Sequence, residues 1–70
     1  MRVSFYEVFR DNEDGSYTPI GGIKIGEVIA TSDKFKRGKT FSGVDIAKHA
    51  GRDLEVEPFI DGIVEIKGVY

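Results

Sequence analysis

"DLEVEPFIDGIVEIKGVY" (Asp53–Tyr70) is the stretch that decides the fold. Leu54 and Val56 alternate with Asp53, Glu55 and Glu57, the period of two that marks a half-buried strand. In the second run Val64, Ile66 and Tyr70 fall on one face with Gly68 between them, and Ile63, Glu65, Lys67 and Val69 fall on the other. Asp61-Gly62 stands between the runs. Such a pair suits a tight hairpin turn, whose central residues need φ > 0. The stretch therefore predicts an antiparallel hairpin, Leu54–Glu57 against Ile63–Val69.

Upstream, "RVSFYEVF" (Arg2–Phe9) is rich in aromatic and β-branched residues and reads as a strand. "DNEDG" (Asp11–Gly15) is a turn, built from side chains that bond to nearby backbone and ending on glycine. "SYTPI" returns from it, and Pro19 belongs at a strand end or an edge because it has no N–H to donate. "IKIGEVIAT" (Ile23–Thr31) reads as a further strand, with Gly26 as a bulge or a close approach. One segment has helical character. In "SGVDIAKHAG", Ser42 is placed to cap, Asp45 follows three residues later, and Gly51 suits a left-handed helix end. The order predicts a mostly β (α+β) domain spanning residues 1–70. It would be a rolled sheet or barrel-like domain of about five to six short strands, with one short helix near residues 43–50. The expected core is Val3, Phe5, Val8, Ile23, Ile25, Val28, Ile46, Leu54, Val56, Val64 and Ile66.

Composition narrows the function classes. Seventy residues make one domain with a small core. With no cysteine and one histidine, neither a disulfide nor a thiolate metal site can form. No metal or cofactor is expected, and a cysteine-free chain fits the reducing cytoplasm. No apolar run approaches the roughly 18 residues of a membrane span, so no membrane role is expected. "MRVSFYEVFR" alternates and holds Glu7, unlike a signal peptide. Beginning at Met1 and carrying no tag, the chain reads as a complete small protein.

Against a net charge of −2, "DKFKRGKTF" (Asp33–Phe41) is the outlier. It gathers Lys34, Lys36, Arg37 and Lys39 around Phe35 and Phe41. These six residues are the candidate ligand- or nucleic-acid-binding site. Four cations on a protruding loop would bind phosphates in a salt-dependent way, and an exposed phenylalanine could stack on a base. In the alternative, both rings point into the core and the cations coat a solvated turn. The overall acidity favours that alternative, since nucleic-acid-binding domains tend to be basic. A two-residue turn at Arg37-Gly38 would set Lys36 against Lys39, whereas a three-residue loop would pair Phe35 with Phe41. "GKT" (Gly38–Thr40) lacks the upstream glycine of a phosphate-binding loop, since Asp33 occupies that position.

Asp45 and His49 are four residues apart and would share a helix face, as half of a general-base arrangement for a small hydrolase. Ser42 would be the nominal nucleophile, but its capping role competes. The reading that best fits the sequence is a non-enzymatic binding or regulatory module. It would act through a protein partner or through itself, as a homodimer formed at an exposed strand edge. The last strand, running to Tyr70 with no polar tail, is the expected edge. Nucleic-acid binding through residues 34–39 is the alternative, and catalysis by Asp45 and His49 comes third.

Overall fold

The computed structural model describes residues 1–70. In chain order the strands are β1 (Arg2–Ser4), β2 (Phe9–Asp11), β3 (Ser16–Pro19), β4 (Ile23–Ile25) and β5 (Val28–Ala30). They continue with β6 (Phe35–Lys36), β7 (Thr40–Phe41), β8 (Val44–Asp45), β9 (Asp53–Pro58) and β10 (Val64–Val69). One α-helical turn, α1 (Phe5–Val8), follows β1, and a 3-10 turn spans Ile46–His49. The fold is mostly β, as the sequence implies, with more and shorter strands than expected.

The Asp53–Tyr70 hairpin organises the larger sheet, whose strand order is β1-β9-β10-β4-β5. β9 and β10 pair antiparallel with Ile66 opposite Val56. The hairpin turns where predicted, with φ of +51° at Asp61 and +79° at Gly62. β4 lies parallel to β10, Ile23 beside Val64. Strand alternation then sends Val3, Leu54, Val56, Val64, Ile66, Ile23 and Ala30 inward, and Arg2, Glu55, Glu57, Glu65, Lys24 and Ile29 outward. A bulge between Ile66 and Gly68 shifts the register. It reverses the faces beyond Lys67, so Tyr70 joins Glu55 and Arg2 outside while Val69 turns in.

A three-stranded sheet, β2-β3-β6, and the small β7-β8 ribbon cover the inner face. The shared core is Phe5, Val8, Phe9, Ile23, Ala30, Phe35, Ile46, Leu54 and Val56. Ser16 and Thr18 are the buried hydroxyls, and the Asn12 amide donates to both, at 3.1 and 2.9 Å.

Four expectations need correction. "RVSFYEVF" is not a continuous strand. Ser4 caps a helical turn, its Oγ accepting from the Tyr6 N–H at 3.3 Å while the Glu7 carboxylate accepts from the Ser4 N–H at 2.9 Å. The physical reason lies in spacing. A strand would send Phe5 and Val8 to opposite faces, whereas one helical turn puts Phe5, Val8 and Phe9 on the same side, and all three are buried. The Phe5 and Phe9 rings stack at 4.6 Å.

"IKIGEVIAT" is two strands rather than one. Gly26, at φ +61°, is the first turn residue between Ile25 and Val28, the sign expected of a type II′ turn. That places Val28 at the mouth of the core, 46% exposed, so it is not a core residue. The helix expected near residues 43–50 shrinks to the 3-10 turn. Ser42, at φ +52°, sits in the turn joining β7 to β8, and Asp45 provides the cap. Finally, β10 lies between β9 and β4, so the last strand is not a sheet edge; the edges are β1 and β5.

Candidate functional site

The basic segment is a tight, anchored turn. Lys39 N–H donates to the Lys36 carbonyl at 3.1 Å, with Arg37 and Gly38 between them and Gly38 at φ +89°, as in a type II turn. Asp45 reaches over from β8. One carboxylate oxygen accepts from the Gly38 N–H at 2.8 Å and the other from the Lys48 N–H at 3.3 Å. One side chain thus caps the 3-10 turn and fixes the tip of the basic turn. The sequence hint was an aspartate just ahead of a helical segment, but the link to Gly38 is tertiary and has no local signature.

The turn has the two-residue form, yet the two phenylalanines still meet, their centroids 5.5 Å apart. Phe35 is fully buried, with Phe9 edge-on at 6.3 Å. Phe41 is half-buried and packs against the core. No base can stack on Phe35, and that part of the nucleic-acid expectation lacks its geometry. The expected Lys36–Lys39 repulsion is relieved because the Lys39 ammonium folds back. It donates to the Lys34 carbonyl at 2.9 Å and lies 5.4 Å from the Phe35 ring centroid. Lys34 approaches Asp14 at 3.8 Å. Lys36 and Arg37 are exposed and form no ion pair.

The structure does not assemble Asp45 and His49. The Asp45 carboxylate is occupied by the two backbone amides, and no hydrogen bond joins it to the imidazole. Ser42 lies in the β7–β8 turn. His49 lines a cavity of about 150 Å³ with Phe5, Phe9, Ile46, Leu54 and Ile66. Its Nδ1 is buried without a partner. The acidic turn is likewise committed locally. Asp11 accepts from the Glu13 N–H at 2.8 Å, and Asp14 accepts from the Ser16 N–H at 3.0 Å. The Ser16 hydroxyl and N–H hold the Asp14 carboxyl below its ordinary range. No group of three or more histidine or acidic side chains converges as a metal site. No helix is long and apolar enough to cross a membrane.

The surface feature that sequence reading missed is apolar. Phe59 and Ile60, at the tip of the β9–β10 hairpin, are 42% and 55% exposed. The Lys24 ammonium lies 5.1 Å from the Phe59 ring centroid. Across β4, Lys24 stands opposite Ile29, itself 45% exposed. A strip therefore runs from Ile29 over the Lys24 stem to Phe59 and Ile60. The strip forms only when β4 and β10 pair in parallel, so nothing in the local sequence announces it. Comparison with known proteins adds no relative: no family model, no curated protein and no solved structure matches the chain.

Proposed function

We propose that this protein is a small non-enzymatic binding or regulatory module that acts by contact with protein, copies of itself included. The observation that carries the reading is the strip of Ile29, Phe59 and Ile60 around Lys24. Large apolar side chains grouped on the surface of a small chain mark a place where another protein excludes water. Lys24 and Lys67 lie with Glu57 and Glu65 beside the strip, in ion pairs of 3.4 to 3.8 Å. A polar border of this kind orients an apolar contact. A cytoplasmic location belongs to the same proposal and rests on the absence of cysteine.

Sedimentation velocity over a concentration series tests it, together with capture on the immobilised chain beside a Phe59→Ser, Ile60→Ser variant. A mass that rises with concentration, or a defined partner lost in the variant, supports the reading. A strict monomer that retains no partner overturns it.

A second reading, nucleic-acid binding through Lys34, Lys36, Arg37 and Lys39, is favoured by the two unpaired cations at the tip of the turn. Phosphate contacts alone would carry it, without stacking on Phe35. Anisotropy titrations with oligonucleotides at low and near-physiological salt test it. Binding that falls with salt and is lost in a Lys36→Ala, Arg37→Ala, Lys39→Ala variant would promote it.

A further inference from the structure

β5 is the outer strand of the larger sheet, and hairpin geometry fixes which of its backbone groups are free. Gly26 and Glu27 are the turn residues, so Ile25 and Val28 form the hydrogen-bonded pair next to the turn. Lys24 and Ile29 then form a non-hydrogen-bonded pair, and Ile23 and Ala30 a bonded one. The N–H and C=O of Ile29 therefore point away from β4 to the open side of the sheet. Val28–Ala30 is short but carries no charge, proline or bulge, side-chain and backbone devices that keep an edge from pairing. The opposite edge differs: β1 carries Arg2, whose Nε donates to Asp53 at 2.8 Å.

We propose that the partner of β5 is β5 of a second copy of this chain, antiparallel, with the two-fold axis at Ile29. The proposal rests on the reading that the module works by protein contact, and it names the contact. In this register each Ile29 N–H donates to the Ile29 carbonyl of the other copy, as a self-complementary two-fold contact requires. Val28 faces Ala30 of the partner, and Glu27 faces Thr31. No like charges oppose one another. Centring the pair on Glu27 would set carboxylate against carboxylate, and centring it on Thr31 would set Ile29 against Asp33; both are less favourable. The five-stranded sheets continue into each other across the axis. The paired edge is short, so the dimer is weak and concentration-dependent rather than obligate.

The chain has no cysteine, so a single thiol reports the register. Bonded cross-strand pairs sit about 5.5 Å apart at Cα, within disulfide reach. An Ile29→Cys variant is expected to form a covalent dimer on mild oxidation, and Ile20→Cys, away from the edge, is not. Ile29→Lys sets ammonium against ammonium across the axis and is expected to abolish the dimer in sedimentation velocity while leaving the circular dichroism unchanged. A wild-type dimer that survives Ile29→Lys, or fails to cross-link through Ile29→Cys, overturns the edge contact and leaves the protein-contact reading standing. A wild type that is monomeric at every concentration overturns the edge contact; the broader reading then falls only if no other partner is retained.

Discussion

Phe35→Ala separates the two lives that the basic segment could lead. The Phe35 ring is fully buried and touches Phe9 and Phe41. Deleting a buried phenylalanine ring costs about 3–5 kcal/mol, the lower end where neighbours can move into the space. Phe41 is only half-buried and can follow, which places the expected loss near 3 kcal/mol. At roughly 0.05–0.15 kcal/mol per residue, a chain of this length holds about 4–10 kcal/mol in all, so the variant sits close to unfolding. Urea denaturation followed by far-ultraviolet circular dichroism reads this directly. At a slope near 1 kcal/mol/M the midpoint should fall by about 3 M. Lys36→Ala, exposed on the same turn, should move stability by less than about 0.5 kcal/mol. A loss below about 1 kcal/mol for Phe35→Ala, outside the core-substitution range, would refute the placement of this ring in the core and reopen base stacking.

Gly21→Ala brings a methyl group to 2.6 Å from the Gly62 carbonyl oxygen, so it should cost about 1–3 kcal/mol in a thermal melt. Gly68→Ala, with open space at that position, should be near neutral. Asp45→Ala removes the acceptor for two backbone amides and should cost about 1 kcal/mol, with faster hydrogen exchange at Gly38 as the local readout. The amino terminus and the Tyr70 hydroxyl both donate to Glu55 and hold its carboxyl below the ordinary glutamate value. A carboxyl depressed on folding gives stability that is present above its unfolded pKa and is lost as pH falls through the folded one. Tyr70 is raised by the same bond, so its share is present below the ordinary tyrosine value and fades as pH climbs through the folded one. Thermal midpoints of wild type and Glu55→Gln should differ near neutral pH and converge in acid.

Legibility tracked locality. The Asp53–Tyr70 hairpin and its Asp61-Gly62 turn were readable because alternation and turn chemistry lie side by side in the chain. The bulge at Lys67 was not, since it depends on how β10 meets β9, and it reversed the face assigned to Tyr70. Ser4 and Glu7 spelled a capping box inside a run that otherwise reads as strand. There, burial of Phe5, Val8 and Phe9 on one side outweighed β propensity. Val28 was misplaced because a tight turn at Gly26-Glu27 folded one expected strand into two. The cations at 34–39 were plain in the sequence, while the inward turn of Phe35 needed β6 to pair with β3. The apolar strip was invisible, because Ile29 and Phe59 are far apart in the chain and meet only through the strand order β10-β4-β5.

Amide spectra of the isotopically labelled chain, recorded dilute and concentrated, read the contact between β5 strands residue by residue. Concentration-dependent shifts are expected across Glu27–Thr31, the residues that face the second copy, with the Ile29 N–H gaining protection from exchange. Spectra unchanged with concentration, or a response at Lys36–Lys39 on adding oligonucleotide while Ile29 stays silent, would contradict it.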